Sequence, residues 1–265
     1  MITCDIGRGF GNDLFIIAAA SYIANKNNIE FIMPPWNKTI SDNHNGYRIQ
    51  GIEDYHDIFE SNFTVRKEIF QSTNWELYYE KRKFLYDPIV FDGNTKIVGS
   101  FQNTKYFDNN YVRKIFYPSN NIVKYINEKY NNPLNRDICS IHVRRGDYVR
   151  LSNYHPPQKM EYFNKAIEII GNKSDLFFIF SDDIQWCKDN FKGKNFVFIE
   201  GEKNWTDLFL MSFCKHNIIS NSTFSWWSAY LNCNKNKIVV FPKKWLGDDL
   251  SYDTSDLCPQ EWINV

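Results

Sequence analysis

The run Ser140-Ile141-His142-Val143-Arg144-Arg145-Gly146-Asp147-Tyr148-Val149 sets two arginines and a carboxylate directly after a string of apolar residues. Asp137 to Val143 alternates enough, with β-branched side chains, to read as a short buried strand, and Gly146 reads as the residue that permits a tight turn at its end. Arg144 then stands at the carboxyl end of a strand, the edge at which open α/β sheets bind ligands. A guanidinium there suits phosphate, because its planar fork donates two parallel charged hydrogen bonds. The competing reading is a solvated turn in which Arg144 and Arg145 pair with Asp147. Arg145-Gly146-Asp147 also spells an adhesion tripeptide, but these residues follow a buried strand, which argues against that use.

Two further strand ends collect polar residues. Ser181-Asp182-Asp183 follows an apolar run at 176–180, and its carboxylates could chelate a metal or cap the helix that begins there. Ser220-Asn221-Ser222-Thr223 follows a run at 217–220 and opens Phe224-Ser225-Trp226-Trp227-Ser228-Ala229-Tyr230-Leu231. Hydroxyls and N–H groups at a helix N-terminus favour an anion. Equally, Ser222 or Thr223 could be a plain N-cap over buried Trp226, Trp227 and Tyr230. At the start of the chain, Ile2 to Ile6 reads as a strand, Gly7-Arg8-Gly9-Phe10-Gly11-Asn12 as a glycine turn, and Leu14 to about Asn25 as a helix. That is another anion-binding shape, without the full dinucleotide fingerprint.

The elements that must hold these residues divide at Asn131-Asn132-Pro133-Leu134-Asn135, a polar break that gives an N-terminal α/β domain at 1–133 and a C-terminal domain at 134–265. In the second, strands at 138–143, 176–180, 196–199, 217–220 and 237–241 alternate with helices at 159–170, 183–191, 205–214 and 223–231. Strict alternation predicts a doubly wound parallel sheet. In the first, a strand is expected at 30–33, a polar loop at 34–50, a strand at 96–101 and a helix at 119–130. The stretch 51–86 has no clean periodicity, and no role can be read from it.

Composition excludes several classes. Lys+Arg 31 against Asp+Glu 31 leaves no net charge and no long basic run, which argues against nucleic acid or an anionic membrane as partner. The six cysteines have no Cys-x-x-Cys pair and no clustered histidines, so a zinc site is not expected and the thiols are read as reduced. The longest apolar run, Leu14 to Ala24, is short of the roughly 20 residues a membrane span needs, and the start is not a signal peptide. A cytoplasmic protein is therefore expected. Five Asn-x-Ser/Thr sequons, at Asn37, Asn62, Asn172, Asn204 and Asn221, are what an asparagine-rich chain yields by chance. Aromatic residues make up 17%, chiefly a core-packing signal.

His142 to Val149 resembles the His-x-Arg-Arg-Gly-Asp-Tyr-Val motif of the α-1,2-fucosyltransferases of glycosyltransferase family 11, and more loosely the arginine motif of α-1,6- and protein O-fucosyltransferases. Gly9, Gly11, Asn12, Leu14 and Phe15 match the same family's Gly-Gly-x-Gly-Asn-Gln-Leu-Phe opening, with Asp13 where glutamine is usual. Gly99, Phe101, Gln102, Tyr106 and Phe107 match a third block, and Asn221 to Leu231 matches Asn-Ser-Thr-Phe/Tyr-Ser-Trp-Trp-x-Ala-Tyr-Leu nearly residue for residue. Phe241-Pro242-Lys243-Lys244-Trp245 resembles the closing Pro-x-x-Trp. The likeness runs from Gly7 to about Trp262 and is thin between 34 and 95.

The resemblance implies an α/β fold of two Rossmann-like halves, of GT-B type, with the active site in the cleft between them. It implies inverting transfer of L-fucose from GDP-β-L-fucose to the 2-hydroxyl of a galactose-terminated oligosaccharide, with no metal or other cofactor. Arg144 would neutralise the departing diphosphate, Asp147 would organise the arginines, and His142 joins them as a catalytic candidate. Donor-binding candidates are Gly9, Gly11, Asn12, Arg144, Ser181, Asp182, Asp183, Asn221, Ser222, Thr223 and Ser225. The resemblance adds guanine recognition to capping and metal binding as a third role for Asp182 and Asp183, without choosing between the two positions. A catalytic base would be Asp147, His155 or Asp13; in a dissociative route the departing phosphate itself takes the proton. Another GDP-sugar, another fucosyl linkage and a non-catalytic glycan-binding module are the alternatives.

Overall fold

The computed structural model describes residues 1–35, 57–60, 63 and 66–265. Most of the loop expected at 34–50, and the sequons at Asn37 and Asn62, lie outside the described residues. Contacts divide the chain into two units, Met1–Asn120 with Tyr252–Pro259 and Asn121–Ser251 with Gln260–Val265. From sequence the division falls at 133/134; in the structure it falls at 120/121, and a short C-terminal stretch belongs to the first unit.

The first unit contains β1 (Ile2–Cys4), α1 (Phe10–Lys26), α2 (Lys67–Ser72), β2 (Glu76–Tyr79), β3 (Thr95–Val98) and α3 (Asn109–Ile115). Its three strands are parallel in the order β1-β3-β2. Leu14 to Ala20 of α1 are all buried, as a helix apolar on every side must be. The strand expected at 30–33 is not one. Phe31 makes an isolated parallel bridge with Ile2, through bonds from Ile2 N to Glu30 O and from Ile32 N to Ile2 O. Pro34 and Pro35 follow at once, and neither has an N–H to extend the ladder.

The second unit follows α4 (Asn120–Tyr130), which begins at the boundary, with β4 (Ile138–Val143), α5 (Gly146–Arg150), α6 (Met160–Ile170), β5 (Leu176–Ser181) and α7 (Ile184–Asn190). It continues through β6 (Phe196–Phe198), α8 (Asn204–Phe213), β7 (His216–Ile218), α9 (Thr223–Leu231), β8 (Val239–Phe241) and β9 (Ile263–Asn264). All six strands are parallel, in the order β6-β5-β4-β7-β8-β9. Numbered within the unit this is the doubly wound order 3-2-1-4-5-6, which reverses between β4 and β7. The sequence expectation of a doubly wound parallel sheet holds here.

β4 is buried along its whole length, and its alternation sorts the core onto two faces. Cys139, Ile141 and Val143 pack with Tyr162, Phe163, Ala166 and Ile170 of α6 and with Cys187 of α7. Ser140 and His142 take the other face. There Asn217 donates to Ser140 Oγ (2.8 Å) and to Met211 O (2.8 Å), and Asn232 donates to Asn217 Oδ1 (2.8 Å). This buried polar chain is satisfied at each link, so it ties β4 and β7 to α8 and α9 with the desolvation of its groups offset by hydrogen bonds. Trp226 and Trp227 of α9 are fully buried, and Trp226 stacks on Tyr230 at 4.6 Å. Truncating such a tryptophan typically costs about 3–5 kcal/mol, so the aromatic block is fixed by packing. No helix among the described residues is long and apolar enough to cross a membrane.

Candidate functional site

Strand register creates the site. Val143 lies opposite Ser181 of β5, and Ile141 lies opposite Ile218 of β7, so residues 144, 182 and 221 leave the sheet at one level, with Ser220 beside Val143. Arg144 therefore meets both flanking turns. Its Nη1 donates to Asp182 Oδ2 (2.7 Å) and its Nη2 to Asp147 Oδ1 (2.6 Å), while Asp182 Oδ1 accepts from Arg145 N (2.8 Å). The side chains of Arg144, Asp147 and Asp182 are 12%, 20% and 15% exposed, which removes the solvated-turn reading. The Arg144 guanidinium lies 5.2 Å from the centre of the Tyr148 ring. Arg145 pairs with Asp183 Oδ2 (2.9 Å) and lies 4.2 Å from the centre of Trp186.

Gly146 does not make the tight turn expected of it. It opens α5, and its φ is not in the left-handed region. What position 146 requires is space, since a Cβ there would come within 2.5 Å of Asp182 Oδ2.

The two carboxylates after β5 have separate local roles. Asp183 caps α7, its Oδ1 accepting from Trp186 N (3.2 Å), and its own N–H donates to Ser181 Oγ (2.9 Å). Asp182 is given wholly to the two arginines. Among the described residues, no group of three or more His, Cys, Asp or Glu side chains could hold a metal ion.

At the end of β7, Ser220 Oγ donates to His142 O (2.6 Å) and accepts from Arg144 N (3.1 Å), stitching the two strands together where the order reverses. Asn221 is buried and used as a brace: its Nδ2 donates to Trp245 O (2.9 Å) and its Oδ1 accepts from Gln158 (3.1 Å). Its carbonyl accepts from the Tyr148 hydroxyl (3.1 Å). Ser222 is the N-cap residue of α9 but makes no side-chain cap bond. Thr223 begins the helix half-exposed, and Ser225 turns its hydroxyl back to Ser222 O (3.3 Å). An uncapped helix N-terminus thus starts three residues beyond the serine that holds Arg144 N, where N–H groups and dipole favour an anion.

Not every candidate reaches this edge. His142 lies beneath it, buried against Phe224, and burial together with Arg144 pushes its pKa down to about 3, so the ring is neutral. His155 is half-buried and stacked on Tyr148 at 5.0 Å. Burial lowers its pKa, against the pull of Asp147, so it too is held neutral at neutral pH.

Gly9, Gly11, Asn12 and Asp13 belong to the first unit. There the buried Asp13 carboxylate accepts from Gly7 N (2.9 Å) and Arg8 N (3.0 Å). Two of the turn's N–H groups, expected to face a ligand anion, are thus satisfied by the chain's own carboxylate, which explains an acid at position 13. Gly7 and Gly9 have φ of 115° and 104°, conformations that need glycine. Gly11 is buried in the first turn of α1. Asn12 donates to Arg8 O (3.0 Å) and accepts from Gln102 (2.9 Å). Nearby, Phe101 is held at a left-handed φ of 50° by Glu80, whose carboxylate accepts from Ser100 N (2.7 Å) and Phe101 N (2.9 Å).

Sequence reasoning named Ser220 in the polar cluster after its strand and Tyr148 in the arginine run, without giving either a role of its own. It missed Gln158, which meets Asn221 63 positions away and carries no local signal.

Residues 100–265 match the profile described as Glycosyl transferase family 11. Over 140 residues the chain is 39% identical to the O-antigen biosynthesis glycosyltransferase WbnK of Escherichia coli, covering 49% of this chain and 45% of that protein. Over 189 residues it is 32% identical to an α-1,2-colitosyltransferase of Escherichia coli, covering 65% and 63%. Galactoside α-(1,2)-fucosyltransferase 1 of Leontocebus fuscicollis is 29% identical over 110 residues, covering 36% and 29%. The matched part spans less than two thirds of each of these relatives: 45%, 63% and 29% of their lengths.

Among solved structures, NodZ α-1,6-fucosyltransferase soaked with GDP-fucose superposes with a TM-score of 0.56 at 14% identity, over 87% of this chain and 92% of that one. POFUT1 in complex with GDP gives 0.60 at 13%, over 91% and 97%. Likeness at this identity shows the fold, two Rossmann-like α/β halves of GT-B type, as the resemblance implied. With a profile that covers more than half of the chain and contains Arg144, Asp182 and the start of α9, the protein belongs to glycosyl transferase family 11.

Proposed function

We propose that the chain transfers L-fucose, with inversion, from GDP-β-L-fucose to the 2-hydroxyl of a galactose residue at the end of an oligosaccharide, without a metal ion or other cofactor. The observation that carries this reading is Arg144 at the point where strand order reverses, beside the uncapped N-terminus of α9. As the glycosidic C–O bond breaks, charge develops on the departing diphosphate. Once the donor is bound, the groups held at that position stabilise this charge during the reaction itself, the service a divalent cation gives elsewhere. Thr223 and Ser222 border the phosphate, Ser225 supports them from beneath through its bond to Ser222 O, Ser181 and Asp183 shape the turn beside it, and Asp182 accepts from the guanine edge. Gly9, Gly11 and Asn12 are kept as donor-side candidates through the resemblance of the opening motif alone. Asp147 organises Arg144. Departure runs ahead of attack, so the leaving phosphate takes the acceptor's proton.

The α-1,2 linkage is supported by the names of two relatives, a colitosyltransferase and a fucosyltransferase. The first of these also favours a second reading, colitose in place of fucose, with the same site chemistry. Incubation of the protein with GDP-fucose and a galactose-terminated oligosaccharide in excess EDTA, followed by linkage analysis, tests both readings. The expected product carries fucose α-1,2 to galactose at a rate undiminished by EDTA. No turnover of GDP-fucose refutes the donor, and activity that Mg²⁺ or Mn²⁺ must restore refutes the metal-free mechanism.

A further inference from the structure

As it stands, the Arg144 side of the edge that should hold a diphosphate is not arranged for an anion. Formal charges there are two arginines against three carboxylates, Asp147, Asp182 and Asp183. Each terminal nitrogen of Arg144 is bonded to a different carboxylate, so a phosphate oxygen reaching this face of the guanidinium would meet two like charges at contact distance. That contact costs more than one arginine returns unless a carboxylate leaves.

We infer that Asp182 locks Arg144 in a resting bridge and that nucleotide binding exchanges the partners, the diphosphate taking the guanidinium while the base takes the vacated carboxylate. The inference deepens the proposed GDP-sugar reading and rests on it. Asp182 is the partner that can be exchanged. Its other oxygen stays anchored on Arg145 N (2.8 Å), so the carboxylate can release Oδ2 without leaving the site. Released, and with its side chain only 15% exposed, it must receive another donor or pay the cost of an unpaired buried charge. Guanine presents two adjacent N–H donors on one edge, which match a carboxylate; uracil presents one N–H between two carbonyls, and inorganic pyrophosphate none. Base recognition and diphosphate binding then become one event, and the site rejects ligands that bring only half of the exchange.

The test is isothermal titration of GDP, UDP and inorganic pyrophosphate into the wild type, Asp182→Ala and Asp182→Asn. The wild type is expected to bind GDP well and pyrophosphate poorly. In both variants pyrophosphate should bind about tenfold tighter, or about 1.4 kcal/mol, because no bridge has to be broken. GDP should weaken, and its preference over UDP should shrink. A base contact without exchange would weaken GDP but leave pyrophosphate unchanged, and a brace that merely holds Arg144 in place would make pyrophosphate bind worse; either result overturns the exchange. Should Asp182→Ala fail to fold, Asp182→Asn decides, since its amide oxygen still accepts from Arg145 N. A wild type that binds no GDP sinks the donor reading itself, a result distinct from GDP binding with no gain in pyrophosphate.

Discussion

Replacing Gly146 with alanine sets two effects of opposite sign against each other. Alanine in place of glycine in a helix is worth up to about 1 kcal/mol, and less than that at the first position of α5. Against it, the new Cβ would stand 2.5 Å from Asp182 Oδ2 and 3.2 Å from its Cγ. The carboxylate is the end of a short side chain whose two oxygens are both engaged, on Arg144 and on Arg145 N, so it cannot retreat without stretching a charged hydrogen bond. Losing one such bond costs about 1.5–3 kcal/mol, which outweighs the helix gain and predicts a net destabilisation of about 0.5–2 kcal/mol. In an Asp182→Ala background the space is open, and the same substitution should become neutral or mildly stabilising. Urea midpoints of the wild type, both single variants and the double variant give the coupling, expected at about 1.5–3 kcal/mol. Equal destabilisation by Gly146→Ala in both backgrounds would mean that Asp182 is not why position 146 is glycine.

Arg144→Lys should fail to rescue Arg144→Ala, because an ammonium keeps the charge but loses the planar fork that grips a diphosphate bidentately; kcat should fall on the order of 10²–10³, and a lysine variant within a few-fold of wild type would refute the role. His155→Ala should keep at least about a tenth of kcat under the dissociative route, and a loss of 10²–10⁴ with unchanged GDP binding would instead name His155 as the base. In α8, burial first and Glu202 second push the pKa of Asp207 up to about 8. The folded chain therefore holds a proton that the unfolded chain has released, and stability falls as pH rises from about 4 to 8, by at most about 1.4 kcal/mol per unit. Asp207→Asn should remove that slope, so that its advantage in melting temperature over the wild type grows with pH; a constant difference would contradict the buried proton.

The second unit was legible because its strands are short apolar runs that alternate with helix-length segments; β4 occupies the residues expected of it, 138–143. β2 was not legible, since it is an edge strand with Leu77 and Tyr79 exposed, and a strand that buries little leaves no alternation to read. Gly146 and the glycine turn before α1 differ from their sequence readings for a common reason. Glycine in a sequence signals freedom of φ, whereas Gly146 is there to make room for a carboxylate from the next strand. A glycine turn signals open N–H groups, whereas those of Gly7 and Arg8 are closed by a residue on the helix that follows. Both needs are set by where another side chain lies, which only tertiary structure supplies. The pairing of Arg144 with Asp147 was readable from its spacing; that the pair is mostly buried was not.

The two partners of Arg144 also differ in a way that assigns them different functions. Asp147 sits three residues on, in the short helix that Arg144 leads into, so it moves with the arginine and serves whatever the occupancy of the site. Tyr148, beside it, lies under the guanidinium and is tied by its hydroxyl to Asn221 O. Together they hold a long side chain that would otherwise surrender about 2 kcal/mol of rotamer entropy on meeting a ligand. Asp182 comes from another strand, and its bond to Arg144 depends on the register of β4 against β5. A permanent local partner pre-sets the fork, and a partner across the sheet can be traded for phosphate without loosening it. On the proposed exchange, Asp147→Asn should therefore weaken GDP and pyrophosphate alike, opposite in sign to Asp182→Asn for pyrophosphate, and matching signs for the two variants would mean that the carboxylates are interchangeable.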